Sequence, residues 1–302
     1  MVPKFYFCVL HCLPVGDQLL PALAGSSTPP SVVSHALVIP TLSNYLFIDE
    51  CGDPTFYGNR KKLLVGTPGY QPLLLMGSLT TSNRRQLRAA VMQFQQTILA
   101  DPLYNTIPSV AKPGWYLHAK NDHPEVRAKF FELLRQLPDF AIHIVIGRKK
   151  LEVFNRKHNN SPTEFYFDLL HHLLKDCLHE PDQTYAIYLA QRGKNNSDRF
   201  QAAVDKALPP TGQAAGASGP IVSKLAIVLS SEYPELSIVD YCLWALQRYI
   251  FKEEGRFFKA LENRYAVIVD IYDEAHFPAN GHIYGPHNPF TIQQASPFEK
   301  PV

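Results

Sequence analysis

From Tyr45 to Ile271 the chain switches repeatedly between two hydrophobic periods, and that alternation restricts its fold more than any other feature. Short β-branched and aromatic runs at 45–49, 71–79, 140–147, 185–190, 221–229 and 265–271 read as strands. Between them, apolar residues recur every three or four positions, the spacing of one helix face. Residues 82–99 carry Leu87, Val91, Phe94 and Ile98 on such a face, and the next helix carries Val126, Phe130, Leu133 and Leu137. Asp122, with Glu125 three residues on, predicts an N-cap with its capping box. Further helices are predicted over 162–178, 197–208 and around Asp240, while 114–120 reads equally as strand or loop. Residues 209–220, rich in Gly, Ala and Pro, predict an exposed, mobile loop, and the Pro-, Gly- and Asn-rich tail from 276 to 302 predicts irregular structure. Alternation of this kind implies an α/β or α+β sheet with helices packed against it.

Two acids stand where the surrounding chain is apolar. Asp49 ends the run Tyr45-Leu46-Phe47-Ile48 and opens the turn Glu50-Cys51-Gly52-Asp53-Pro54, so one strand delivers several carboxylates to a sheet edge. Strand alternation sends Glu50 to the opposite face from Asp49. Asp240 falls on the helical stripe of Leu236, Val239, Leu243 and Ile250. A buried charge is costly unless it is paired or binds a metal, so the two acids are candidates to share an ion.

Composition bounds the partners. In 302 residues, 46% apolar and 12% aromatic content supports a substantial core, and a formal net charge of +2 argues against a surface built to coat nucleic acid, though not against a local basic cleft. Cys8, Cys12, Cys51, Cys177 and Cys242 are odd in number and form no CxxC pair, which points away from a disulfide scaffold or zinc site and towards a reducing, cytoplasmic setting. No apolar run approaches the roughly 20 residues of a membrane helix. Lys4 and the apolar segment 5–13 loosely imitate a secretory signal, but Asp17 and Gln18 interrupt it. Residues 1–43 are therefore read as an extension that adds little to the fold, the main domain as 44–275, and the Ser/Pro cluster at 26–31 as linker.

The string YLFIDECGDPTF at 45–56 resembles the opening of the prokaryotic domain of unknown function 3800 family, whose members commonly begin with an IDESGD-like element. Three later blocks agree in order: LHAKNDHPEVRAKFFELL at 117–134, IYLAQRGKNNSDRF at 187–200 and LSIVDYCLWALQR at 236–248. The resemblance implies an RNase H-like mixed sheet flanked by helices, metal-dependent nuclease activity, Mg²⁺ or Mn²⁺ as cofactor, nucleic acid as partner and an association with mobile elements or defence. It makes Asp49 the acid of the first strand and Asp240 the acid of the last helix, both as metal ligands. This chain departs from the pattern in three places. Cys51 replaces the usual serine, His118 and then Asp122 stand where many members carry glutamate, and Ala190-Gln191-Arg192 supplies no carboxylate.

Nucleases of the RNase H-like kind use two divalent ions about 3.5–4 Å apart, and magnesium takes oxygen ligands while keeping several waters. The plainer reading of Asp49 is a strand-terminal turn acid, since Asp-x-x-Gly-Asp-Pro is good turn chemistry, and Glu50 and Asp53 are auxiliary ligand candidates. Asp122 is either a third carboxylate or an N-cap. His118 is a proton-transfer group, a ligand or a satisfied structural histidine. Lys120 and Arg192 are candidate phosphate contacts, against the plainer readings of a solvated lysine and a loop arginine. The runs Arg84-Arg85-Arg88 and Arg148-Lys149-Lys150 either track a nucleic-acid backbone or form solvated faces. His171-His172 point apart on a helix, and His276, His282 and His287 lack ligand-like spacing. Cys51 has no base partner that would make it a nucleophile. The alternatives to a nuclease are an RNase H-like scaffold that merely docks nucleic acid or protein, and a component that works only with a protein partner.

Overall fold

The computed structural model describes residues 43–180, 183–193, 197–208, 219–273 and 282–293. The expectations for residues 1–42, the loop core 209–218, His276 and most of the tail lie outside them.

Seven strands form one mixed sheet in the order β5-β4-β1-β2-β3-β6-β7. They are β1 (Ser43–Gly52), β2 (Leu73–Thr81), β3 (Ala141–Arg148), β4 (Thr184–Ala190), β5 (Ile221–Val228), β6 (Tyr265–Ile271) and β7 (Ile283–Tyr284). β1 is central, antiparallel to β2 and parallel to β4; β2–β3 is antiparallel, and β3–β6 and β4–β5 are parallel. The protein is thus of the α/β class, a mixed sheet covered by helices on both faces. β7 corrects the expectation of a wholly irregular tail: it pairs with β6, and Phe290 just beyond it is buried.

Residue alternation along the strands separates two cores. Phe47, Leu75, Leu79, Ile144 and Tyr188 pack with α1 (Arg84–Ala100), α2 (Pro124–Gln136), α6 (Glu235–Lys252) and α7 (Arg256–Ala260). Leu46, Ile48, Leu74, Met76 and Val145 pack with α3 (Leu151–Lys157), α4 (Pro162–Cys177) and α5 (Ser197–Ala207). Full burial of each Leu, Ile or Phe contributes about 1.5–3 kcal/mol, so the sheet is held from both sides. α6 is buried on most of its circumference, and it approaches β2 closely because position 77 is glycine: a Cβ there would lie 2.9 Å from Leu243 Cδ2.

Several local expectations are corrected. The N-cap of α2 is His123, not Asp122, whose carboxylate is committed elsewhere. Residues 114–120 form turns and extended loop without a strand, and the short helix α3 went unanticipated. Apart from the exposed Arg85, the basic runs are not simply solvated faces or open tracks. Arg84 and Arg88 converge on the buried Glu235, Arg148 grips Asp270, and Lys149 donates to Thr55 O at 2.7 Å beneath Tyr70 and Phe56. Long basic side chains bury their stems readily when the charged head finds a partner.

Candidate active site

β1 runs past the end of its partner β4, the last paired residues being Ile48 and Leu189, and the next residue is Asp49. Odd-numbered side chains of β1 face α6, so Asp49 and Cys51 meet Asp240 there, while Glu50 points to the α4 face as alternation requires. These residues floor a cleft of about 990 Å³, walled by α6 and by the loop from Tyr116 to Lys120.

Asp49 accepts a hydrogen bond from the Glu50 backbone N–H at 2.8 Å, and among the described residues no Lys or Arg hydrogen-bonds to it. Burial, then the charges of Glu50 and Asp240, push its carboxyl well above the ordinary range. Burial also raises Asp240, against the opposing pull of His118 and of the Ala119 N–H, which donates to Oδ2 at 2.6 Å. His118 Nδ1 lies 3.4 Å from the same oxygen without hydrogen-bonding alignment. Two half-buried carboxylates, both raised by burial and Asp49 raised further by the charge of Asp240, make a site of concentrated negative potential.

The loop that presents His118 and Lys120 is shaped by α6. Ser237 Oγ donates to Leu117 O at 2.8 Å, Asp240 accepts from Ala119, and Tyr241 O–H donates to Asp122 Oδ2 at 2.6 Å. Asp122 also accepts from Trp115 Nε1 at 2.9 Å and from the His118 N–H at 2.8 Å, and Arg127 closes the loop by donating to Ala119 O and Asp122 O. Burial raises the Asp122 carboxyl in spite of these bonds. Three donors account for Asp122 as the anchor of the loop.

The other sequence candidates are dispersed. Glu50 takes Arg192 on one oxygen at 3.0 Å and Tyr166 O–H on the other at 3.2 Å, and the same guanidinium donates to Gly52 O at 3.1 Å. Arg192 therefore ties the β1 exit to the β4 exit. Asp53 is exposed and caps its own turn by accepting the Thr55 N–H at 2.6 Å; burial raises its carboxyl, but the Thr55 bonds outweigh this and lower it. Lys120 is exposed on the cleft wall. Cys51 lines the cleft as a free thiol that burial, followed by Asp240 and Asp49, pushes up to about 12, the opposite of an activated nucleophile. His171 and His172 sit together on α4, away from these residues, with His172 4.0 Å from Asp168. Among the described residues no three His, Cys, Asp or Glu side chains converge to hold a metal ion. Asp49 and Asp240 nonetheless fit a hard divalent cation, which is commonly held by one or two carboxylates with waters and substrate phosphate completing its shell.

Sequence reading missed the rest of the α6 wall: Trp244, Gln247, Arg248, Phe251 and Lys252 all line the cleft. Helical spacing from Asp240 reaches Trp244, Arg248 and Lys252 in steps of four, so the signal was present once Asp240 was recognised as facing a cleft.

Fold and site together define an α/β protein with a two-carboxylate cleft at a sheet edge. No family model matches the chain, and no curated protein matches its sequence. Among solved structures, a chain of the PCNA:RNase HII complex from Archaeoglobus fulgidus is similar over 85% of this chain and 97% of its own, at 11% identity and a TM-score of 0.39. Among the described residues no helix is long and apolar enough to cross a membrane.

Proposed function

We propose that the chain is a divalent-metal-dependent nuclease with an RNase H-like fold, hydrolysing phosphodiester bonds at the Asp49–Asp240 end of the cleft. The observation that carries this reading is the pairing of two carboxylates, each raised by burial, with no Lys or Arg side chain hydrogen-bonded to either among the described residues. Such an arrangement disfavours folding unless a cation offsets it. The four sequence blocks that resemble those of the domain of unknown function 3800 family support the same reading. Asp49 and Asp240 would hold the ion, Mg²⁺ or Mn²⁺, and the ion would supply charge stabilisation to the phosphate in the transition state. His118, held beside Asp240, is suited to moving a proton at the leaving or attacking oxygen. Lys120 on the wall is suited to a phosphate oxygen. Asp122 positions the loop carrying both, and Glu50 and Arg192 fix the path of β1 beyond Asp49. Asp53 reaches the site only as an outer carboxylate of the turn.

The test is a melting curve of the wild type and of Asp49→Asn, each with chelator and with millimolar Mn²⁺ or Mg²⁺. Binding to the native state alone raises stability by mass action, about 2.7 kcal/mol at a hundredfold excess over Kd. Metal should raise the wild-type Tm and leave the variant unmoved, and the wild type should then cut DNA or RNA where Asp240→Asn does not. A wild type indifferent to both metals removes the hydrolytic reading.

A second reading, a catalytically silent docking scaffold, is favoured by the absence of a third converging ligand among the described residues and by Gln191 where a carboxylate would otherwise stand. It expects nucleic-acid or protein binding without cleavage in any metal. A component dependent on a protein partner would gain cleavage only when that partner is added.

A further inference from the structure

The acids occupy one end of the cleft, and the rest of its α6 wall has a different chemistry. Trp244, Gln247, Arg248, Phe251 and Lys252 follow Asp240 along one side of the helix and line the cleft together. At about 1.5 Å per residue, Lys252 stands roughly 18 Å from Asp240 along the axis. Tyr116 joins this lining from the loop that carries His118. Aromatic and basic side chains are thus interleaved along a groove that leads away from the carboxylates.

The Trp244 ring is held in a fixed orientation. Arg127 lies 4.8 Å from the Trp244 ring centroid and Arg248 5.4 Å, with Phe257 packed at 5.3 Å. Arg248 is in turn anchored by Glu254, so its guanidinium plane is set rather than free to search. A rigid indole and a rigid guanidinium plane are platforms on which an unpaired base can stack. Bases inside a duplex stack on one another and present only their edges, so platforms of this kind are of no use to a paired strand. Lys252 is exposed at the far end, where it meets solvent and can contact a backbone phosphate.

We infer that the α6 wall from Trp244 to Lys252, with Tyr116, is a track for single-stranded nucleic acid that feeds an unpaired strand to the Asp49–Asp240 end. The inference rests on the proposed hydrolytic reading for what happens at that end, but not for the binding itself. Stacking on π-faces is tolerant of sequence, so the track selects strandedness rather than base order. Both DNA and RNA carry the shared chemistry, an unpaired base on a phosphodiester backbone.

The test is equilibrium binding in chelator, where no metal-dependent cleavage takes place. Labelled oligothymidylate, oligouridylate and a blunt duplex of equal length are titrated with the full chain over a salt series. The single strands should bind more tightly than the duplex, and their relative affinity tells DNA from RNA. Trp244→Ala should weaken single-strand binding by about 5- to 150-fold, the range of one lost base stack, with the salt slope unchanged. Lys252→Ala, at an exposed position that leaves the core intact, should weaken binding and reduce the salt slope by about one. Equal or tighter duplex binding overturns the track, and so does unchanged affinity in the Lys252→Ala and Trp244→Ala variants. Strand binding through α6 without cleavage in any divalent metal leaves the track standing and removes hydrolysis. Cleavage of duplex with no single-strand preference does the reverse.

Discussion

Asp49 on β1 faces Gly77 on β2 across the antiparallel ladder, and Gly77 is also where α6 comes down onto the sheet through Leu243. The two facts are coupled. Asp240 lies almost one turn before Leu243, so the missing side chain on β2 sets how near the helix carboxylate can come to the strand carboxylate. Gly77→Ala should cost about 1–3 kcal/mol, the ordinary penalty for overpacking, and it should weaken any metal-induced rise in Tm. Urea midpoints with and without Mn²⁺ measure both. An alanine variant as stable as wild type with the same metal response would show that α6 has slack at this contact.

Asp49 and Asp240 should each destabilise the metal-free protein near neutral pH. A carboxyl raised on folding binds its proton more tightly in the native state, so stability falls as pH climbs from the ordinary value near 4 through the raised native one. In chelator, Asp49→Asn should therefore melt above wild type at neutral pH, and the gap should close as pH is lowered towards 4. Because the charge of Asp240 adds to the cost of ionising Asp49, adding Asp240→Asn should yield less than its separate effect. A neutral-pH Tm for Asp49→Asn equal to or below that of wild type in chelator would contradict the picture of two uncompensated acids.

Asp168 on α4 has the opposite sign. Burial alone would raise its carboxyl, but hydrogen bonds from His158, Tyr272 and Lys157 outweigh burial and hold it well below the usual range. Its stabilising contribution is complete above the unfolded value near 4 and is lost as pH falls from there towards the depressed native value. Asp168→Asn should thus be less stable than wild type at neutral pH and converge with it in strong acid. Chemical denaturation of both proteins across that acid window is the measurement, and parallel curves would remove Asp168 from the acid response.

Arg148 and Asp270 form a two-pronged pair, with Nε–Oδ1 at 2.8 Å and Nη2–Oδ2 at 2.6 Å, both side chains being nearly inaccessible. Asp273 Oδ2 lies 3.7 Å from the same Nη2 and is equally buried, so three charges share the site. Removing one partner of a buried pair costs about 3–5 kcal/mol, and Asp270→Ala should lose up to that much by denaturant unfolding, Asp273 offsetting part of the loss. Replacing the three together, Arg148→Met, Asp270→Leu and Asp273→Asn, should recover most of it. A triple replacement as damaging as the single one would mean that the cluster supplies net stability rather than mutual neutralisation.

Sequence by itself determined the sheet and most of its helices, because period-2 and period-3.6 burial are properties of neighbouring residues. The predicted strand at 265–271 coincides with β6, and the helix predicted at 197–208 differs from α5 by one residue. The same local logic sent Asp49 and Glu50 to opposite faces. It failed wherever a partner distant in the chain decided the outcome. Asp122 had the pattern of an N-cap, but Tyr241 and Trp115 claimed its carboxylate. Arg84, Arg148 and Lys149 had the pattern of surface charge, yet Glu235, Asp270 and Thr55 draw them inward. Tertiary structure alone decided that Asp240 and Asp49 line one cleft, that Glu50 belongs to Arg192, and that the α6 wall beyond Asp240 faces the same cleft. Hydrogen bonds and ion pairs between residues outside one another's strand or helix leave no periodic trace. They depend on how closely helix and sheet approach, and here a single glycine sets that distance.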